Sequence, residues 1–354
     1  MAKFIPQYQP VLKLKYIYAV VKQMLSGWVG TGTKVEEFEE AIKDIAKADH
    51  VISTTSGTMA LYLAISALKI PKNKKIIFPA YTFLAGANVA KHLGYKLEFL
   101  DVSRQTMCID PWVLEKRLKQ KSDDIGVVIF VDHNGLSLDA PEIKNICKEY
   151  NIPMIEDSAQ AIGSGGWWGD IAIFSFSVPK LVTTGQGGVV FTNNSEYAER
   201  MRQIRDHGDN WRKTKIHNHI GINLKFNDIL AAYGLAQLKD LEYLIIKRQR
   251  MLLEYKKYLP IKGEWYHGRF TSWMVIYHTD KADKIIEELG KHQIQAVKYY
   301  RSIPSNPSFN VKTKFENAEY IHQHFLYLPS SLNLTKKDIK RICKIIKEVE
   351  NERI

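Results

Sequence analysis

From position 35 to about 240 the chain repeats one rhythm, a short β-rich apolar run followed by an amphipathic helical stretch. The runs are HVISTTS, KIIFPA, YKLEFLDV, GVVIFV, NIPMIEDS, IAIFSFS and GGVVFTN, with helices expected from Thr58 to Leu68 and after Phe83. Strand, helix, strand in this order packs as a parallel sheet with helices on both faces. The loops at the carboxyl ends of such strands gather along one edge, where ligands bind.

Near Leu238 the rhythm changes to a long charged helix, YLIIKRQRMLLEYKKYL, followed by SWMVIYHT, the helix ADKIIEELGKH and a last helix KKDIKRICKIIKEVEN. This predicts a large α/β domain over residues 1–238 and a smaller α+β domain over 239–354, with the N-terminal segment packing on the smaller one. A length of 354 residues suits two such units. Repeats and low-complexity segments are absent from the sequence.

Hydrophobic content of 45% and charged content of 25% exclude a disordered, collagenous or membrane-embedded class. The start, MAKFIPQYQPVLKLKYIYAVVKQML, breaks its apolar residues with lysines and prolines, so no signal peptide is expected and the cytoplasm is the default location. Cys108, Cys147 and Cys343 are odd in number and widely spaced, which fits free thiols better than a disulfide framework or a metal knuckle. The net charge of +12 is spread along helical stretches without a basic tail, so neither a nucleic acid nor a membrane is the expected partner. Attraction of an anionic substrate into a positive cleft accounts for the charge more simply.

The segment MIEDSAQAIGS places Asp157 and Gln160 just past a buried apolar strand, where an ionised carboxylate is costly unless a cation or several donors meet it. The next run, IFSFSVPKLVTTGQGG, ends in Lys180 and enters a glycine-rich turn able to approach a ligand closely. A desolvated lysine falls below its free pKa of about 10.4, and the neutral amine can condense with an aldehyde. Pyridoxal 5'-phosphate (PLP) carries such an aldehyde, and a carboxylate such as Asp157 keeps its pyridine nitrogen protonated.

A lone strand-end lysine is more often a solvated surface residue, and a lone aspartate there a helix cap. The pair together shifts that balance. In TTSGTMALYLAI, Ser56, Gly57 and Thr58 stand at a strand-to-helix turn whose free N–H groups and dipole favour a phosphate, although an ordinary N-cap explains the motif equally well in isolation. Ser175 is a further candidate donor. GSGGWWG precedes a strand instead of a helix, and GTGTK lacks the phosphate-loop spacing, so neither is read as a nucleotide motif.

Taken in order, SGWVGTG, SGTMAL, FPAYTFLAGANV, IEDSAQAIGS, FSFSVPKLVTTGQGG and GINLKFNDILAAYGLAQL resemble the DegT/DnrJ/EryC1/StrS family of sugar aminotransferases over nearly the whole chain. The resemblance implies the type I, aspartate-aminotransferase-like fold, with a mainly parallel seven-stranded sheet in the large domain. It makes Lys180 the Schiff-base lysine and proton carrier, Asp157 the partner of the pyridine nitrogen, and Gln160 a donor to the ring hydroxyl. Gly57, Thr58 and Ser175 would hold the phosphate, Phe83 would stack on the cofactor ring, and Asn223 would reach the phosphate of a neighbouring subunit in a homodimer with shared sites.

The expected substrate contacts are Thr31, His133, Asn134, His217 and Lys225. Two stretches depart from the family: Lys225 and Phe226 stand where related members read Arg and Met, and VDHNG stands where many carry a His and a Tyr before the glycine. Packing of that loop is an equal reading for His133 and Asn134. The implied activity moves an amino group from L-glutamate to a nucleotide-linked 4-keto-6-deoxyhexose, with GLAQL resembling members that aminate carbon 4 to viosamine- or perosamine-type products. Alternatives are amination at carbon 3, a PLP-dependent sugar dehydratase, in which a His replaces the lysine, and a non-catalytic regulator on the same scaffold.

Overall fold

The computed structural model describes residues 3–208, 216–261, 271–309 and 311–352. Two helices, α1 (Leu14–Leu25) and α2 (Thr33–Ala46), precede the alternating region. It then runs β1 (His50–Thr54), α3 (Gly57–Ala67), β2 (Lys75–Pro79), α4 (Ala85–His92), β3 (Lys96–Leu100), α5 (Pro111–Gln120), β4 (Ile125–Val131) and α6 (Ala140–Glu149). The strands β5 (Met154–Asp157), β6 (Ile171–Ser175) and β7 (Gly188–Thr192) and the helix α7 (Ser195–Arg205) follow.

The seven strands form one sheet in the order β1-β7-β6-β5-β4-β2-β3. Pairings among β2 to β6 are parallel, as strands joined by helical crossovers must be. β7 is antiparallel to both β6 and β1. Between β6 and β7 the chain has no crossover helix, so it turns back on itself, and Lys180 sits in that return. Every residue of β4 (IGVVIFV) is buried, which explains why this strand reads as an unbroken apolar run with no polar alternation.

The C-terminal part pairs β8 (Val275–His278) with β9 (Phe325–Leu328) antiparallel, flanked by the helices Leu241–Lys256, Ala282–Lys291 and Lys336–Asn351. Its own core holds Met251, Tyr255, Val275, Ile285, Leu289, Ile342 and Ile346, and Ile5 from the N-terminal segment packs among them. Backbone bonds from Ile5 N to Gln293 O (2.9 Å) and from Gln295 N to Ile5 O (2.9 Å) fix that segment in place. The main core around the large sheet reaches in the other direction and takes in Trp273, Tyr300 and Tyr327. Among the described residues no helix is long and apolar enough to cross a membrane. All three cysteines are free and buried.

Candidate active site

The segments that follow four strands, one of them leading into a helix start, converge at the carboxyl edge of the sheet. β5 ends in Asp157, β6 in Ser175, β1 leads through Ser56 into α3, and the segment after β2 contributes Thr82 and Phe83. They enclose a cavity of about 270 Å³ that Ser56, Gly57, Thr58, Phe83, Asp157, Gln160, Ser175 and Lys180 all line. Eight residues singled out from separate sequence motifs thus face one space.

The electrostatics of this space are those of an acid and an amine taken out of water. Burial lowers Lys180 to a pKa of about 8, against the opposing pull of the Asp157 carboxylate. Burial raises Asp157, while the Ala159 N–H, which donates to Oδ1 at 3.1 Å, and the Lys180 charge hold it down. Lys180 is therefore neutral to roughly a tenth at pH 7, far more than a free lysine, and the neutral amine is the form that attacks a carbonyl. Its Nζ lies 4.8 Å from the centre of the Trp273 ring.

At the start of α3 the Ser56 hydroxyl accepts from Met59 N (3.2 Å), and Gly57 and Thr58, whose first-turn amides have no partner within a helix, line the cavity. Two glycines allow the close approach that builds this turn. A Cβ on Gly57 would lie 2.8 Å from Ser175 Cβ, and one on Gly188 would lie 2.4 Å from the Ser56 carbonyl. The helix start is thereby pressed against the end of β6, with Ser175 beside the free amides. An anion cradle at one end, a buried carboxylate and a poorly hydrated lysine match the phosphate, pyridine nitrogen and aldehyde of PLP. The residues present fit that cofactor. Among the described residues no group of three or more His, Cys, Asp or Glu side chains could hold a metal.

Gln160 is oriented from two sides: its Oε1 accepts from Asn134 N (2.7 Å) and its Nε2 donates to the Tyr300 hydroxyl (3.3 Å). Of the two readings of His133 and Asn134, the burial of both favours loop packing. His133 Nε2 shares a hydrogen bond with the Tyr327 hydroxyl (2.7 Å), and burial together with the Lys180 charge lowers its pKa to about 3, so it stays neutral. The Asn134 side chain donates to Ser272 Oγ (3.1 Å) and Met274 O (3.2 Å), in a left-handed backbone conformation (φ 56°). The loop serves packing and the orientation of Gln160.

Four further expected contacts lie away from this cavity. Thr31 Oγ1 donates to Phe226 O (2.7 Å), Lys225 Nζ pairs with Asp206, and His217 Nδ1 donates to His207 O (3.1 Å). Asn223 is exposed, and its Oδ1 accepts from Lys225 N (3.3 Å). Conversely, Tyr300 lines the cavity, and Trp273 and Tyr8 hold the Lys180 segment, without any sequence motif having pointed to them, while Gln186, within the GQGG turn but not singled out, also lines the cavity.

The family model for DegT/DnrJ/EryC1/StrS aminotransferases matches residues 12–347. A UDP-4-amino-4,6-dideoxy-N-acetyl-β-L-altrosamine transaminase from Campylobacter jejuni is 38% identical over 68% of this chain, a match spanning 66% of that relative, just under two thirds of its length. A GDP-perosamine synthase from Escherichia coli O157:H7 is 29% identical over 99% of this chain and 100% of its own length. Among solved structures, the Helicobacter pylori aminotransferase PseC, involved in pseudoaminic acid biosynthesis, superposes with a TM-score of 0.89 at 25% identity, covering 99% of this chain and 100% of that one. The aminotransferase TlmJ from Streptoalloteichus hindustanus shares the fold, with a TM-score of 0.91 at 22% identity and 98% coverage of both chains. With a match across nearly its whole length and a site built for the cofactor, the chain belongs to the DegT/DnrJ/EryC1/StrS aminotransferase family of PLP-dependent enzymes.

Proposed function

We propose that this protein transfers an amino group from L-glutamate to carbon 4 of a nucleotide-linked 4-keto-6-deoxyhexose, working as a cytoplasmic homodimer. The observation that carries the reading is that Lys180, in the return after β6, and Asp157, at the end of the adjacent β5, line one cavity next to a helix start. Relatives named for a UDP-linked amino-dideoxy sugar and for GDP-perosamine support the substrate class. The positive net charge suits a substrate carrying a diphosphate, and three buried free thiols suit a reducing compartment.

Bound in the cavity, PLP supplies an aldehyde to receive the amino group and a ring that accepts electrons. Asp157 keeps the ring nitrogen protonated, Gln160 donates to the ring hydroxyl, and the first-turn amides of α3 with Ser175 hold the phosphate. Phe83, which lines the cavity, would stack on the cofactor ring. Lys180 Nζ takes the α-proton of glutamate and later delivers a proton to the sugar carbon, which its lowered pKa permits in both directions. Release of 2-oxoglutarate before the sugar enters gives ping-pong kinetics. Asn223, which does not line its own cavity, would reach the phosphate bound by the partner subunit, and Thr31, His217 and Lys225 would contact the sugar.

The test is mass spectrometry of products from a panel of keto-sugar nucleotides with glutamate as donor. Gain of nitrogen at carbon 4 is the expected result, and loss of a hydroxyl without nitrogen gain marks a dehydratase instead. Lys180→Ala is expected to lower turnover about 10³-fold or more and to abolish the visible absorbance that glutamate bleaches. Wild-type turnover in that variant refutes the assignment.

A further inference from the structure

Lys180 lies in the return between β6 and β7, outside any strand, and a lysine there has both backbone and side-chain freedom to lose. Two consecutive carbonyls of that segment are nevertheless held. Trp273 Nε1 donates to Pro179 O at 2.7 Å, and the Tyr8 hydroxyl donates to Lys180 O at 2.6 Å. Neither aromatic residue belongs to the sheet that carries the lysine. Trp273 precedes β8, and its own N–H donates to Asn134 O (3.0 Å), the residue that also orients Gln160. Tyr8 follows the N-terminal segment that is bonded to the C-terminal part through Ile5 and through Gln7 N to Gln295 Oε1 (3.1 Å).

We propose that Trp273 and Tyr8 are positioning residues that clamp the peptide carrying Lys180, so that its amine returns to one location for both proton transfers. The proposal rests on Lys180 being the working amine, as in the function proposed above. Clamping matters because this amine must be released from the cofactor and recaptured in every cycle, and a misplacement of about 1 Å can cost about 10²-fold in rate. Trp273 does a second thing. Its ring face, 4.8 Å from Nζ, favours the ammonium form in a cavity whose poor hydration otherwise opposes it. The released lysine thus keeps a proton to deliver to the sugar carbon. Burial raises the Tyr8 hydroxyl above its ordinary range, so it remains a donor throughout.

The decisive experiment is trace acetylation of Lys180 as a function of pH in the full-length chain freed of cofactor, read by peptide mass spectrometry. Wild type is expected to show a midpoint near pH 8. Trp273→Leu, which removes the ring, is expected to lower that midpoint by about one unit, whereas Trp273→Phe keeps the ring and the wild-type midpoint. In the holoenzyme, Trp273→Phe and Tyr8→Phe each remove one carbonyl clamp and are expected to lower kcat about tenfold, with KM for the amino donor unchanged. An unshifted midpoint in a folded Trp273→Leu, or Phe variants that lower only the melting temperature, overturns the proposal. If Trp273→Leu does not fold, the two Phe variants decide it. The labelling needs no turnover, so its outcome is separable from the Lys180→Ala test of the function itself.

Discussion

Beneath Asp157, two more carboxyls are buried side by side. Asp132 Oδ2 accepts from Ser158 Oγ (2.5 Å), and Glu156 Oε2 accepts from the N–H groups of Trp168 (2.6 Å) and Gly169 (2.8 Å). Their remaining oxygens, Asp132 Oδ1 and Glu156 Oε1, are buried and have no other partner. One proton shared between them satisfies both, and both groups are raised from their ordinary values, through burial first and, for Asp132, then through the Glu156 charge. The neighbouring charges are Asp157, which opposes ionisation of Asp132, and Lys144, which favours that of Glu156. The unfolded chain releases these protons near about pH 4, whereas the native pair retains one, so stability falls as pH rises from there towards the raised native value. Asp132→Asn supplies a permanent N–H in place of that proton. We expect its melting temperature to depend less on pH than that of wild type between pH 5 and 8, with a gain on the order of 1 kcal/mol at the upper end. Parallel melting curves for the two proteins rule out the shared proton.

At the scale of the element, the site depends on how tightly the start of α3 meets the end of β6. Backbone packs on backbone only because Gly57 and Gly188 lack a Cβ, and Ser175 occupies the space a side chain on Gly57 would need. Gly57→Ala is expected to push α3 away from Ser175 and to weaken PLP binding about tenfold or more, leaving far-UV circular dichroism unchanged. Titration of the cofactor-free chain with PLP, followed by absorbance, checks this, and unaltered affinity shows that the cradle tolerates the added methyl. The reversal at β7 has an equally local cause. A parallel neighbour would need a helical crossover, and the turn between β6 and β7 instead carries the lysine.

At the scale of the whole molecule, one protomer leaves large apolar side chains in water. Leu14 (85% exposed), Leu25 (83%), Tyr18 and Trp28 stand out along α1 and the loop after it, and Ile220 (96%) stands near Asn223. Apolar exposure on this scale marks an association surface. Such a surface suits the proposed homodimer in which each subunit completes the other's site. Subunit mixing tests this directly. Lys180→Ala and Asn223→Ala homodimers are each impaired, and a heterodimer of the two has one intact shared site. An equal mixture is expected to recover about a quarter of wild-type activity, and no recovery places Asn223 outside the neighbouring site.

The amino-acid sequence alone determined the alternating sheet, its seven strands and the placement of Asp157 at the end of one strand and Lys180 in the turn after the next. Each of these depends on apolar periodicity or on spacing within one short segment, and local patterns of that kind survive in a linear string. The start of α3 was legible for the same reason, since Ser56 and Gly57 act within one turn. Only the tertiary structure decided that His133 and Asn134 face inward, with the Asn134 N–H orienting Gln160 and His133 bonded to Tyr327. It alone brought Tyr8, Trp273 and Tyr300 to Lys180 and Gln160. These contacts join residues more than ninety positions apart. Nothing in a tyrosine's own neighbourhood specifies which distant carbonyl its hydroxyl will meet, because the packing of the two parts against each other sets that geometry.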